Sequence, residues 1–173
     1  SGTGNTAVGY QAGSDHTTAH HLTVMGYRSG YLNTTGADNT AYGAYSLYTN
    51  TTGGYNTAFG QGALELCTTG ASNTGIGKNA GRAITTANRN VAIGSYALDA
   101  LQTGHYNIAI GDNALGIHTG HGAIAIGDGA LNQNTQNYNI AIGFEAAKVN
   151  SSGAYNVALG HHALRVNTTG AQN

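Results

Sequence analysis

Asn107-Ile108-Ala109-Ile110-Gly111 is one copy of a phrase that returns along the whole chain. Asn5-Thr6-Ala7-Val8-Gly9, Asn56-Thr57-Ala58-Phe59-Gly60 and Asn156-Val157-Ala158-Leu159-Gly160 are further copies. The closing glycine stands at Gly9, Gly26, Gly43, Gly60, Gly77, Gly94, Gly111, Gly127, Gly143 and Gly160. Nine gaps separate these ten glycines, seven of 17 residues and two of 16. A fixed period this short is the signature of a solenoid, in which each repeat is one coil stacked on the last. The shape is then a rod, which has little room for a buried catalytic pocket.

Within the phrase, side chains alternate as they do in a strand. In Asn139–Gly143, Ile140 and Ile142 point to one face, while Asn139, Ala141 and Gly143 point to the other. Down the stack the large column reads Val8, Met25, Tyr42, Phe59, Ile76, Ile93, Ile110, Ile126, Ile142 and Leu159. The opposite face is small, mostly alanine. Both faces are apolar, which predicts a strand covered on both sides. One side is closed by the rest of its own coil. So thin a coil has little left for the other, which predicts partner chains. Ile93, Ile110, Ile126 and Ile142 are the candidate interface column, and a threefold bundle suits one such residue per coil around an axis. The expected fold is all-β: a parallel β-solenoid, or β-roll, of ten coils of 16–17 residues, as one array over residues 1–173. At a strand spacing of ~4.8 Å, ten coils make a rod of about 48 Å.

A second apolar pair follows the glycine, as in Ala63-Leu64, Ala97-Leu98, Ala114-Leu115, Ala130-Leu131 and Ala163-Leu164. It reads as the opposing wall, with leucines filling the interior. The return is polar, as in Asn50-Thr51-Thr52-Gly53 and Asn167-Thr168-Thr169-Gly170, and is built of turn formers. The asparagines heading the phrases, among them Asn5, Asn56, Asn107 and Asn156, are expected to stack as a ladder of amides bonding between coils. Leu22 and Ala123 interrupt that ladder.

The bulk composition narrows the function. Only 8% of residues are charged and the formal net charge is −1, so there is no basic patch to expect and no nucleic-acid partner. No apolar run approaches the ~20 residues of a membrane span, so no membrane insertion is expected. Cys67 is the single cysteine and forms no intrachain disulfide. No signal peptide is visible. The first and last residues fall inside repeats, so the chain reads as a fragment of a longer fibre whose targeting signals could lie outside it.

Asn90-Val91-Ala92-Ile93-Gly94-Ser95-Tyr96-Ala97 resembles the head repeat of trimeric autotransporter adhesins, a left-handed parallel β-roll. With Asn-Thr-Thr-Gly before the phrase and Ala-Leu after it, the longer unit looks still more like repeats in bacteriophage tail fibres. The resemblance covers essentially the whole chain but departs from the adhesin heads in coil length, since those commonly use shorter repeats. It implies a left-handed trimer in an extracellular or virion fibre that attaches to a surface. It says little about a ligand, because a fold does not name one.

Several residues invite chemical readings. His105 and His121 share a column in adjacent coils, His16, His20 and His21 share a loop, and His161-His162 are neighbours. Paired histidines can hold zinc or nickel. Without a supporting acid cluster they read as exposed loop residues, so no metal and no cofactor are assigned. Asp112 and Asp128 share a column, with Glu145 one step further along. Acid pairs on a solenoid face can serve glycoside hydrolysis, but isolated surface acids explain them as well. Tyr55, Tyr106, Tyr138 and Tyr155 precede the phrase asparagine and either stack on sugar faces or pack neighbouring turns. The threonine column from Thr6 to Thr74 could suit ice binding, yet it turns aliphatic from Val91 onward and reads as a core or interface column. Asn33, Asn50, Asn150 and Asn167 match the glycosylation sequon, which turn formation also explains. Together these readings give a homotrimeric structural and attachment segment, extracellular, at a cell surface or on a virion, not an enzyme, that meets a cell-surface glycan or other receptor through its loops. The alternatives are a self-assembling extracellular filament with no specific ligand and, less favoured, a polysaccharide-active enzyme.

Overall fold

The computed structural model describes residues 2–173, and their regular elements are all β-strands. Each phrase makes one short strand: β1 Thr6–Val8, β2 Thr23–Met25, β3 Thr40–Tyr42, β4 Thr57–Phe59, β5 Thr74–Ile76, β6 Val91–Ile93 and β7 Ile108–Ile110. A second strand then joins each coil. β8 (Ile117–His118), β10 (Gln133–Asn134), β12 (Val149–Asn150) and β14 (Val166–Asn167) alternate with β9 (Ile124–Ile126), β11 (Ile140–Ile142) and β13 (Val157–Leu159). The phrase strands form one parallel sheet of 10 strands in chain order, and the other 4 form a second parallel sheet. The chain is a parallel β-solenoid.

Like pairs with like across every step, as in Ile108↔Ile124, Ala109↔Ala125 and Ile110↔Ile126. The shorter coils do not disturb this register. Ile110 to Ile117 and Leu159 to Val166 are both 7 positions apart, whereas His118 to Ile124 is 6 and Asn150 to Val157 is 7. The missing residue has been taken from the polar return, where no sheet pairing depends on it.

The small face is the inner one. Ala41, Ala58, Ala92, Ala109, Ala125 and Ala141 are buried, together with Leu47, Leu64, Leu98, Leu115 and Leu131. These leucines fill the interior as expected, but Leu164 in the last coil does not, being 38% exposed. They lie in the turn after the glycine, however, and not on a facing strand, at φ of 48–52°. Left-handed backbone costs a residue with a Cβ on the order of 1–2 kcal/mol, which full burial of a leucine, about 1.5–3 kcal/mol, offsets. The large column is not covered within the chain. Val8 is 50% exposed, Phe59 49%, Ile142 40% and Leu159 64%, while Ile93, Ile110 and Ile126 are half-buried. The threonine column is no core either, since Thr6 and Thr23 are exposed and Thr40, Thr57 and Thr74 half-buried on that same outer side.

Two asparagine columns tie the coils together. The phrase asparagines bond mainly to backbone, where amide-to-amide bonding was expected. Asn90 Oδ1 accepts the Asn107 N–H at 2.9 Å, and its Nδ2 donates to the Gly104 carbonyl at 2.9 Å. Amide also meets amide in places, as from Asn90 Nδ2 to Asn73 Oδ1 at 3.2 Å and from Asn173 Nδ2 to Asn156 Oδ1 at 3.0 Å. Leu22 and Ala123 still donate their N–H groups to Asn5 and Asn107 at 2.8 and 2.9 Å, but they pass no such bond onward. The second column contains the sequon asparagines. Asn50 Nδ2 donates to the Gly53 carbonyl at 2.9 Å, and Asn33 and Asn150 bond likewise to Gly36 and Gly153. Asn33, Asn50 and Asn150 are at most 1% exposed, so their amide nitrogens are closed to glycosylation in the folded chain. Cys67 fills the same column and its thiol donates to the Gly70 carbonyl at 3.4 Å. Burial pushes that thiol up to about 12, which leaves it without thiolate reactivity at neutral pH.

The phrase glycines set the closeness of the stack. A Cβ on any from Gly9 to Gly143 would stand 2.7 Å or less from the carbonyl group of the next glycine in the column. At Gly160 it would meet nothing within 4 Å, although φ is still +114°. Gly94→Ala is therefore expected to cost more than about 3 kcal/mol, and Gly160→Ala only the backbone strain of about 1–2 kcal/mol. Urea titration followed by circular dichroism measures both, and equal losses would contradict the stacking argument.

Candidate functional site

The coil edge just before each phrase carries most of the chemistry. Tyr55, Tyr106, Tyr138 and Tyr155 stand there at 50–68% exposure and φ of 56–62°. Tyr138 and Tyr155 stack on each other at 5.4 Å between ring centroids. The rings thus pack along the stack and still present area to solvent, and neither use suggested by the sequence excludes the other.

The column one residue earlier explains the histidines. Asn88 Oδ1 accepts the Ala71 N–H at 2.7 Å, His105 Nδ1 the Asn88 N–H at 2.9 Å, and His121 Nδ1 the His105 N–H at 3.0 Å. Asn137 Oδ1 continues the series from the His121 N–H at 2.8 Å. Each histidine here does the work of an asparagine. A Nδ1 that accepts a backbone N–H carries no proton, so the ring proton sits on Nε2. His105 and His121 stack at 5.4 Å, in the adjacent coils expected from their spacing. His161 and His162 lie 3.8 Å apart beside Phe144, and His20 and His21 6.2 Å apart. Among the described residues no three His, Cys, Asp or Glu side chains converge on a metal-sized point.

Arg89, Asn88 and Ser72 were not singled out from the sequence, yet with Ala71, His105 and Tyr106 they line a cleft of ≈ 300 Å³. Arg89 Nη1 donates to the Tyr106 hydroxyl at 2.5 Å, and the guanidinium lies 5.4 Å from the ring centroid. The sequence signal was an arginine in a column that elsewhere holds Gly4, His21, Asp38, Ser72, Gly122 and four tyrosines.

The acids do not assemble. Asp112 and Asp128 are exposed, and Asp112 accepts from Asn113 Nδ2 at 2.9 Å. Glu145 instead accepts from Lys148 at 2.5 Å and from Arg165 at 2.7 Å. These two partners pull its carboxyl down to about 2. A carboxylate held ionised to that acidity is a poor proton donor near neutral pH.

His118 sits deeper, fully buried in the second asparagine column, where Asn134 and Asn150 follow it. Its Nδ1 lies 2.8 Å from the Asn134 carbonyl and its Nε2 3.1 Å from Asn107 Oδ1, so the ring sits between the two ladders and, when neutral, donates its one N–H to one of these two oxygens. Its place in the column was visible in the sequence; its burial was not, because a histidine in a polar return reads as solvent-facing.

Comparison with known proteins finds no matching family model, no matching curated protein and no matching solved structure. The likeness to fibre and adhesin repeats therefore rests on the repeat phrase itself.

Burial lowers the His118 pKa below its ordinary 6.5. The unfolded chain then binds the proton more readily than the folded one, so stability is full above about pH 6.5 and falls as pH drops below it. The Glu145 contribution has a separate window, lost only as pH falls through the carboxylate range toward about 2. His118→Asn, which installs the residue found at Asn134 and Asn150, is expected to flatten the dependence between about pH 7 and pH 5. Urea midpoints across that range measure it, and an equally steep slope in the variant would contradict the assignment.

Proposed function

We propose that this chain is a structural and attachment segment of a trimeric fibre, carried outside a cell or on a virion. The observation that carries the reading is the outer face of the 10-stranded sheet. From Val91 onward both outward columns are aliphatic: Val91 and Ile93, Ile108 and Ile110, Ile124 and Ile126, Ile140 and Ile142, Val157 and Leu159. A contiguous apolar face on a parallel sheet calls for cover. Covering each half-exposed side chain is worth on the order of 1 kcal/mol. Copies of the same chain suit it, because a sheet that repeats every coil matches another of the same repeat at every step. Three chains around an axis would bury both columns and leave the tyrosine-bearing edges outside for a glycan or other surface receptor. The left-handed coil implied by the repeat phrase belongs to the same reading.

A second reading is a filament without a specific ligand. Strands β1 and β13 are the outer strands of the sheet, and among the described residues neither pairs with a further strand on its outer side, although the Val157 N–H of β13 already donates to the Asn173 carbonyl at 2.9 Å. End-to-end pairing would give mass that grows continuously with concentration, where lateral bundling gives one fixed assembly.

Ile110→Asp separates the outer face from the interior. Because Ile110 points away from the core of its own coil, the variant is expected to keep its circular dichroism spectrum while the assembly falls to single chains, as a charge cannot be buried unpaired between them. Gel filtration with light scattering reads the outcome. An assembly of unchanged mass would show that this face does not join the chains.

A further inference from the structure

The cleft beside Arg89 has an unusual hydrogen-bonding balance, which follows from the way the coils are tied. The backbone ladder occupies its acceptors. Asn88 Oδ1 takes the Ala71 N–H and His105 Nδ1 takes the Asn88 N–H, at 2.7 and 2.9 Å. The carbonyl groups of Ala71, Asn88 and His105 accept from the N–H groups of Arg89, Tyr106 and Gly122 at 3.0, 3.3 and 3.1 Å. Asn88 Nδ2, His105 Nε2–H and the remaining guanidinium N–H groups of Arg89 are donors. The Tyr106 hydroxyl already accepts from Arg89, so its own hydrogen is free to donate. Ser72 adds a hydroxyl that serves either way. Among the described residues no carboxylate lines the cleft and Arg89 forms no ion pair, whereas Arg82, Arg165 and Lys148 do. Such a cleft matches an anion rich in acceptors.

Its surroundings narrow the anion further. Ala71 and Ser72 are small and form the low part of the edge, while Tyr106 rises beside it with 58% of its surface exposed. Tyr55 stands in the same column one coil beyond Ser72, at 68% exposure. Successive coils step by ~4.8 Å, close to the rise of one pyranose unit along an extended polysaccharide. An aromatic ring suits the apolar face of a sugar, and a planar guanidinium suits the two oxygens of a carboxylate or sulfate.

We propose that the cleft formed by Ser72, Asn88, Arg89, His105 and Tyr106 binds an acidic polysaccharide, with Arg89 pairing the anionic group and Tyr106 stacking on the ring that carries it. This names a ligand class for the attachment role proposed above, and it rests on that reading.

The test uses the intact chain and three immobilised probes: polygalacturonate, dextran sulfate and neutral dextran. Retention of polygalacturonate is expected to exceed that of neutral dextran, to weaken with added salt, and to fall roughly tenfold or more in Arg89→Gln. Arg28→Gln, whose side chain bonds Gln11 at 2.8 Å far along the rod, is expected to bind as the native chain does. Retention of dextran sulfate but not of polygalacturonate, with the same loss in Arg89→Gln, supports the cleft with sulfate as its anion. No retention of either acidic probe, equal retention of neutral dextran, or an equal loss in both arginine variants overturns the proposal. The light-scattering mass of Arg89→Gln should match that of the native chain. The assembly reading therefore stands or falls on its own variant and not on this one.

Discussion

The structure depends on how closely one glycine approaches the next. From Gly9 to Gly143 there is no space for a Cβ between a coil and its successor, and φ at these positions is 125–137°, a region glycine alone occupies at low cost. That approach holds neighbouring turns in register at the same point of every coil. The other ladders follow from it. Once coils sit in register, each phrase asparagine reaches the backbone of the next, and the first threonine of a return can donate to a carbonyl one coil away, as Thr51 does to Thr68 at 3.1 Å. Like side chains then meet like, which produces the stacked pairs Tyr42–Phe59 at 4.8 Å and Tyr31–Tyr48 at 5.4 Å.

A coil of this size has a thin interior. It admits one small side chain per strand, an alanine or serine and in many coils a leucine from the turn, and the two asparagine-rich columns, so the larger residues of the phrase are turned outward. The same restriction therefore closes the core with alanine and places isoleucine on the outer face. The apolar outer surface follows from having too small an interior, and it supplies the physical reason for proposing partner chains. Because each coil contacts only its neighbours, stability should be close to a sum of coil and interface contributions. The polar edge is free to vary within that frame. It carries tyrosine in some coils, arginine in one and glycine in others while the ladder beneath stays intact.

The period exposed the architecture directly. The glycine spacing, the strand in each phrase and the parallel order were all legible, since a solenoid repeats its local rules in every coil. Alternation in Ile140-Ala141-Ile142 separated two faces but could not say which was inner, because both were apolar and only the volume inside a coil decides. The left-handed leucines were hidden for a related reason: the strain is local, whereas the burial that offsets it comes from adjacent coils. His105 and His121 were placed in one column from numbering alone. Their role as backbone acceptors was not visible, because it depends on the N–H of the preceding coil pointing along the stack. The Arg89 cleft was missed for the same reason, as its donor-rich character appears only after the backbone has claimed Asn88 Oδ1 and His105 Nδ1.

The central claim is that copies of this chain cover the aliphatic face that the coil itself leaves open. Sedimentation equilibrium of the chain over a wide range of concentrations tests it most directly. The account predicts one constant mass at three times the 17.5 kDa of the single chain. A constant mass of 17.5 kDa throughout would contradict it, for the outer face would then be stable in water without any partner.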